Sequence, residues 1–280
     1  MNTFTLDKEI IKISFSKAAS TYDAYSTLQK DAAKDLLKLK DKINIFPLNT
    51  KSYFVLDIGC GTGALAFSFK NICPDANLFG CDFSLPMLFK AKENTRYGSI
   101  KFLTSDCDEL PFVDSFFRLA ISSLTYQWVP DIARSFQEVQ RVLKSGGLFL
   151  FSIPGSHTLE ELRTSYKKTE DALGQNGRFI FKKFYDVENL SNNLKKAGFE
   201  ILVIENVLKK KNYKNLWDLL KTLKATGASP PFPNGNKSLA RGLFLKEISK
   251  TYQKHFPASD GTGISATYDI IYAAAKKITI

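Results

Sequence analysis

The sequence predicts an α/β fold in which a mostly parallel sheet carries helices on both faces, and two observations support this prediction. Short apolar segments typical of buried strands alternate with amphipathic segments of helical period between residues 53 and 155. A glycine-rich turn joins the first of these strands to the helix that follows it. Such alternation indicates βαβ units with right-handed crossovers, and hence parallel strands. At 280 residues the chain can bury a sizeable core as one large domain.

A helix is predicted over residues 27–43, with Ser26 or Thr27 as its N-cap. Its apolar positions recur at helical spacing: Leu28, Ala32, Leu36, Leu39 and Ile43. The strand, turn and helix of 53–69 follow, and strands then alternate with helices. Strands are predicted at 76–82, 100–106, 118–124 and 148–155, and helices at 84–94 and 131–147.

Beyond Gly155 the pattern changes, and the sequence of residues 156–183 predicts helical and irregular structure. A helix over 186–198 is predicted to end at a glycine C-cap, and a strand follows over 199–210. Residues 214–229 and 238–255 have helical patterns and are divided by a loop rich in proline, glycine and asparagine. A last strand begins at 266. This order predicts one sheet with a helical insertion over 212–255 between its last two strands.

The net charge of +11, carried mostly by lysine, favours an acidic partner, namely nucleic acid, an anionic membrane surface or an acidic protein. A solvated basic surface explains the same excess. Arginines are few and no basic stripe is interleaved with aromatics, so nucleic acid ranks below an acidic protein. The sequence shows neither a long apolar run nor a secretory pattern at its N-terminus, so we expect a cytoplasmic protein that does not enter a membrane.

The cysteines and histidines do not have the spacing of a metal site. The four cysteines occupy positions 60, 73, 81 and 107 without any C-x-x-C pair, and His157 and His255 are far apart. A zinc site requires clustered thiolates and imidazoles. We therefore expect buried, reduced thiols and no metal.

The glycine-rich turn lies within "YFVLDIGCGTGALAFSF" (53–69), where Gly59, Gly61 and Gly63 alternate. Together with Ala64 this segment also satisfies the dinucleotide fingerprint G-x-G-x-x-[G/A]. Asp82, 21 positions after Gly61, suits a ribose hydroxyl pair in either interpretation. Asp57 distinguishes a dinucleotide site from a site for a cationic ligand. A carboxylate beside the turn disfavours a pyrophosphate and attracts an ammonium or sulfonium group. The turn therefore favours S-adenosylmethionine over a nicotinamide or flavin cofactor.

The motif "VLDIGCGTG", with Asp82 and "SDCDELPF", resembles the motif series of class I S-adenosylmethionine-dependent methyltransferases. Four further segments make the chain similar to the malonyl-[acyl-carrier protein] O-methyltransferases of biotin synthesis: 15–37, 122–147, 223–229 and 266–272. The likeness spans nearly the whole chain. It departs from the family at Ser123, where asparagine is expected, at Lys183, where arginine is expected, and at Asp269, where "TYH" is expected.

The resemblance implies a Rossmann-like class I methyltransferase fold with a seven-stranded sheet whose last strand is antiparallel. It implies one methyltransferase domain over 1–280, divided into four functional parts. These are an N-terminal helical lid (1–45), a cofactor-binding half (52–155), the rest of the sheet (156–211 and 256–280) and a helical cap for substrate (212–255).

The resemblance also implies the residues of the site, with S-adenosylmethionine as cofactor, S-adenosylhomocysteine as product and no metal. The expected catalytic residues are Tyr22, Gln127 and Trp128. The expected cofactor-binding residues are Asp57, Gly59, Cys60, Gly61, Gly63, Asp82, Phe83, Met87, Asp106, Cys107 and Ser123. The expected substrate-binding residues are Arg178, Lys182, Lys183 and Tyr268.

The implied reaction methylates the free carboxylate of a malonyl thioester, carried by an acidic acyl carrier protein or by coenzyme A. That carboxylate is already ionised near pH 7, so alignment and exclusion of water matter more than acid–base groups. Lysines around the insertion, including Lys209–Lys211, Lys221 and Lys224, are candidates for steering the carrier to a monomeric enzyme. Two alternatives stay open, a methyltransferase acting on a small molecule such as a quinone precursor, and a nucleotide-binding oxidoreductase or binding module.

Overall fold

The computed structural model describes residues 7–43, 53–95, 98, 100–174, 184–228 and 239–278, with the backbone alone at 239–241. Its centre is a seven-stranded sheet with the order β3-β2-β1-β4-β5-β7-β6. The strands are β1 (Phe54–Ile58), β2 (Asn77–Asp82), β3 (Lys101–Thr104), β4 (Phe117–Ser123), β5 (Leu143–Pro154), β6 (Phe199–Tyr213) and β7 (Ile264–Lys277). Only β7 is antiparallel to its neighbours, β5 and β6, among these strands. The predicted fold class is confirmed.

The helices of the described residues fall into three groups along the chain. The N-terminal group is α1 (Lys8–Ala18), α2 (Tyr22–Tyr25), α3 (Thr27–Lys38) and α4 (Lys40–Ile43). The crossover helices are α5 (Ala64–Ile72), α6 (Leu85–Asn94), α7 (Ile132–Val142), α8 (Glu160–Ala172) and α9 (Val187–Lys196). The insertion between β6 and β7 supplies α10 (Leu216–Ala225) and α11 (Leu239–His255), as the sequence predicts; its role as a substrate cap stays a prediction.

Two element boundaries differ from the sequence prediction. The helix expected over 131–147 ends at Val142, because Leu143 already pairs with Phe117 as the first residue of β5. Gly146 follows with a φ of +65°, which a continuing helix does not allow. The helix expected over 27–43 is divided at Leu39 into α3 and α4.

The core consists of two apolar layers, one on each face of the sheet, since side chains alternate along every strand. One layer contains Val55, Leu119 and Leu150 and is covered by α3, α5, α8, α10 and α11. The other contains Leu56, Ala120 and Phe149 and is covered by α7 and α9. Among the described residues, no helix has the length and hydropathy needed to cross a membrane. The layers fix the carboxyl ends of β1, β2 and β4 side by side, and the site forms at those ends.

Candidate functional site

A cavity opens at the carboxyl edge of the sheet, between the glycine turn and the N-terminal helices. Its lining includes Gly59 and Gly61 from the turn, Asp82 from the end of β2, and Trp128 after β4. Residues 8–25, which form α1 and α2 and are called the strap below, contribute Lys8, Phe15 and Tyr22. In open α/β sheets this edge is where ligands bind.

The glycine turn needs its glycines for two different reasons. Gly59, Gly61 and Gly63 have φ values of +68°, +53° and +91°, a region that residues with a Cβ rarely adopt. A Cβ on Gly59 would also lie 2.3 Å from the side chain of Thr125, whereas one on Gly61 would meet nothing within 4 Å. Gly61 therefore leaves open space on the cavity side of the turn.

Asp82 is held in place by two backbone donors. The N–H of Gly61 donates to one carboxylate oxygen at 2.9 Å, and the N–H of Ser84 donates to the other at 2.8 Å. Burial raises the pKa of Asp82 to about 6, although these two hydrogen bonds oppose the rise. A carboxylate has about four acceptor positions, so each oxygen can still accept a hydrogen bond from a ligand.

Asp57 lies near the end of β1, one residue before its last, and is only 1% exposed. Neither of its carboxylate oxygens has a hydrogen-bond partner of good geometry among the described residues. Burial raises the pKa of Asp57 to about 8; the backbone N–H of Ala66 opposes this rise, and the Asp82 carboxylate adds to it. A buried carboxyl group without partners is unusual, and it is stabilised by a proton or by a cation placed beside it.

The strap is fastened along its length to the elements that form the cavity. At its start the Lys8 ammonium donates to Asp106 at 2.7 Å and also to Asp108. Burial would raise the pKa of Asp106, but the N–H of Asp108 and the Lys8 ammonium hold it below its ordinary value. Further along, the ring of Phe15 meets that of Trp128 edge to face, with centroids 5.5 Å apart.

Tyr22 is the third cavity-lining residue of the strap, after Lys8 and Phe15, and it packs next to Met87, Ala18 and Ala19. Burial raises the pKa of Tyr22 well above its ordinary value, and the carboxylates of Asp82 and Asp23 add to the rise. The hydroxyl is therefore protonated at neutral pH and can donate a hydrogen bond into the cavity.

The segment after β4 turns sharply into the site. Leu124 has a φ of +54°, which costs a non-glycine residue about 1–2 kcal/mol. This turn sets Thr125 against Gly59 and brings Trp128 to the cavity. Gln127 supports the turn, since its amide nitrogen donates to the carbonyl of Leu124 at 2.6 Å. Its amide oxygen is buried and has no hydrogen-bond partner among the described residues.

Most of the residues expected at the site do line this cavity. They are Tyr22, Gly59, Gly61, Asp82, Phe83, Met87, Asp106, Cys107, Ser123 and Trp128. Asp57, Cys60, Gly63 and Gln127 do not line it: Asp57 lies within β1, and the other three belong to the turns around the cavity. Arg178, Lys182 and Lys183 lie outside the described residues.

Tyr268 is not brought to the cavity. It is 4% exposed, and its hydroxyl shares a 2.6 Å hydrogen bond with that of Tyr213 inside the core. Its neighbour Asp269, one of the departures from the family pattern, is also buried. The Asp269 carboxylate lies 3.3 Å from Nδ1 of His157, so a histidine still adjoins this position, contributed by another segment.

Several cavity residues were missed by the sequence reasoning: Lys8, Phe15, Leu124, Thr125 and Val129. Lys8 and Asp106 are 98 positions apart, and no local pattern connects them. Gly227 lies close to the ring of Phe15 in the strap, which is distant in sequence. A Cβ at position 227 would lie only 2.8 Å from that ring. The strap and the described part of the "LKATGAS" segment, residues 223–228, therefore pack against each other.

Known proteins have sequences similar to that of this chain. Residues 56–151 match a family described as "Methyltransferase domain". The malonyl-[acyl-carrier protein] O-methyltransferase 2 of Ilyobacter polytropus is 31% identical over 97% of this chain and 99% of its own. The chain belongs to the malonyl-[acyl-carrier protein] O-methyltransferase family. As a member of that family it is an S-adenosylmethionine-dependent O-methyltransferase.

Solved structures agree with the fold of this family. A candidate methyltransferase from Bacillus halodurans superposes with a TM-score of 0.60 at 20% identity, covering 88% of this chain and 99% of its own. Phosphoethanolamine N-methyltransferase 2 of Haemonchus contortus, solved with S-adenosyl-L-methionine, superposes with a TM-score of 0.51 at 19% identity, covering 88% of this chain and 52% of its own. At these identities the superpositions show a common fold.

Proposed function

We propose that this methyltransferase esterifies the free carboxylate of a malonyl group carried as a thioester on acyl carrier protein, as the names of its relatives describe for them. The observation that carries the proposal is the likeness of nearly the whole chain to the Ilyobacter polytropus enzyme, including the segments outside the methyltransferase core. The product, a malonyl methyl ester, is the primer expected for pimeloyl formation in biotin synthesis.

The cavity fits S-adenosylmethionine in its charge and its hydrogen-bonding groups. Asp82 keeps free acceptor positions for the two ribose hydroxyls, and Phe83 with Met87 offers apolar surface for the adenine. Asp57, buried without a side-chain partner, suits a ligand whose amino-acid part is cationic. When bound, this cofactor supplies an electrophilic methyl group on a sulfonium.

At the acceptor side, methyl transfer depends more on alignment of the carboxylate with the methyl group and on exclusion of water than on a general base. A malonyl carboxylate is ionised near pH 7, so no proton has to be removed from it. Tyr22 keeps its proton and offers a hydrogen bond to a carboxylate that has left water. The aromatic rings of Phe15 and Trp128 close one side of the cavity and exclude water. Arg178, Lys182 and Lys183 remain our candidates for binding the substrate.

The lysines near the insertion differ in their availability to a carrier protein. Lys209 already pairs with Asp35, so it serves the packing of β6 against α3. Lys221 and Lys224 are exposed on α10, three residues apart on neighbouring turns, and Lys221 lies 5.7 Å from the ring centroid of Tyr25 in α2. We propose that these two lysines face the acidic carrier, next to the strap.

Mass spectrometry of malonyl acyl carrier protein after incubation with enzyme and cofactor tests this function. We expect a mass gain of one methylene that an esterase removes. Acetyl acyl carrier protein is the matched control, because it has the thioester without a free carboxylate. Failure to modify the malonyl carrier, together with turnover of a small acceptor such as a quinone precursor, would favour the alternative methyltransferase. Malonyl coenzyme A, assayed alongside, shows which thioester is preferred.

A further inference from the structure

At two points, one on α2 and one on α1, hydrogen bonds join the strap to cavity-forming elements and lead on to Asp82. Asp23 of α2 accepts from the hydroxyl of Thr62 in the glycine turn at 2.7 Å. The preceding residue, Gly61, donates its N–H to Asp82. On the other side Ser84 donates its N–H to Asp82, and the Ser84 hydroxyl lies 3.0 Å from that of Ser16 in α1. The series thus begins and ends on the strap.

The two strap residues in this series are the sequence neighbours of the two aromatic residues that line the cavity. Ser16 follows Phe15, and Asp23 follows Tyr22. Fixing Ser16 and Asp23 therefore fixes where the rings of Phe15 and Tyr22 lie. Because both connections lead to donors of Asp82, the position of the strap is coupled to the carboxylate that we assign to the ribose.

Asp23 makes more hydrogen bonds than Ser16, the other strap residue in this series. Its second oxygen accepts from the Asn94 side chain of α6 at 2.7 Å, and its backbone carbonyl accepts from the Lys30 ammonium at 2.7 Å. Thr62 is only 3% exposed, so its hydroxyl depends on the Asp23 carboxylate as a partner. Hydrogen bonds to a charged group are stronger than neutral ones, and a buried group left unpaired is destabilising.

We propose that Asp23 is a positioning residue: by clasping Thr62 and Asn94 it holds Tyr22 at the cavity and sets the rate at which cofactor and product leave. The inference rests on the proposed cofactor site and goes beyond it. With the clasp closed, the strap covers the cavity, and ligand exchange requires the Asp23–Thr62 hydrogen bond to open.

The rate of S-adenosylhomocysteine dissociation, followed by tryptophan fluorescence, tests the clasp without any acceptor. The chain has two tryptophans, so a Trp217→Phe background leaves Trp128, which lines the cavity, as the reporter. We expect Asp23→Ala and Thr62→Val each to speed dissociation by about tenfold or more, as loss of a charge-assisted hydrogen bond implies. Thr62→Ser keeps the hydroxyl and should keep the slow rate.

Two comparisons distinguish loss of the Asp23–Thr62 hydrogen bond from a general destabilisation of the strap. Glu9→Ala removes another carboxylate of the strap, one in α1 whose partner is Lys12, and it should change the rate by less than about twofold. The double variant Asp23→Ala/Thr62→Val should be no faster than Asp23→Ala alone, because the Asp23–Thr62 hydrogen bond is already lost in that single variant. Dissociation as slow as in the parent in Thr62→Val, or full additivity in the double variant, would overturn the proposal.

Amide hydrogen exchange of the strap distinguishes failure of the clasp from failure of the proposed function. In the free protein, Asp23→Ala should speed exchange in residues 8–25 relative to the Glu9→Ala variant. If S-adenosylhomocysteine does not bind the parent at all, the proposed cofactor is wrong, and exchange still decides about the clasp. Unchanged exchange in both Asp23→Ala and Thr62→Val would refute it.

Discussion

The backbone N–H of Gly61 donates a hydrogen bond to the Asp82 carboxylate at 2.9 Å, so two residues 21 positions apart form one structural unit. The glycine turn and the carboxylate at the end of β2 are therefore oriented relative to each other before any ligand arrives. Such preorganisation lowers the entropic cost of binding, because fewer groups must be ordered by the ligand.

Replacing Asp82 by alanine should abolish most cofactor binding while leaving the fold intact. The substitution removes the acceptor for two ribose hydroxyls, and loss of two hydrogen bonds to a charged group corresponds to about 100-fold or more in affinity. Titration calorimetry with S-adenosylmethionine measures the affinity, and circular dichroism checks the fold. Asp75→Ala, an exposed carboxylate before β2, is the matched control. Retained affinity in Asp82→Ala would mean that the ribose site is elsewhere.

The stability of the cofactor-free protein should depend on pH through Asp57. Its pKa is raised from 3.8 to about 8 in the folded protein. The native state therefore holds this proton over a range in which the unfolded chain has lost it. The stabilising contribution is complete below about pH 4 and is lost as the pH rises through about 8.

Asp57→Asn keeps the shape of the side chain but cannot ionise, so it should remove this part of the pH dependence. Urea unfolding at several pH values measures the free energy of unfolding of the variant and the parent. We expect the variant to gain stability relative to the parent as the pH rises from 5 to about 8. A difference between the two proteins that does not change with pH would show that Asp57 is not protonated in the fold.

Gly59→Ala and Gly61→Ala should fail in different ways. Both residues have a positive φ, which costs alanine about 1–2 kcal/mol. At Gly59 the added Cβ also meets Thr125 at 2.3 Å, so the variant should be clearly destabilised in thermal unfolding. At Gly61 the Cβ meets nothing within 4 Å, so the variant should fold and instead lose cofactor affinity. Equal melting temperatures for the two variants would contradict this distinction.

The features that were predictable from sequence depend on local patterns. The glycine turn, the apolar strands around it and Asp82 are each recognisable within a few residues, and the structure places them as expected. The predicted end of the 131–147 helix is wrong. The helical pattern continues past Val142, but the pairing of Leu143 with Phe117 in the sheet ends the helix there. Strand pairing is a tertiary interaction, and tertiary context overrides propensity.

The rest of the site could not be predicted because it consists of long-range contacts. Lys8 meets Asp106 across 98 positions and Asp23 meets Thr62 across 39, and neither pair belongs to a periodic pattern. Asp57 shows that a clear local motif does not by itself reveal how deeply a side chain is buried. Its position in the motif predicts that it binds the cofactor, whereas its side chain is only 1% exposed and does not line the cavity.

Reversing the charges of Lys221 and Lys224 should weaken the use of the carrier-bound substrate without affecting the cofactor. Both lysines are exposed on α10, which touches α2 of the strap, so a carrier docked there would deliver its thioester beside the cavity. In Lys221→Glu/Lys224→Glu we expect KM for malonyl acyl carrier protein to rise about tenfold at low salt, and the effect to shrink as salt screens the charges. Lys195→Glu/Lys196→Glu on α9 changes the net charge equally on the opposite face of the sheet. If both double variants raise KM alike, net charge rather than a docking surface explains the effect.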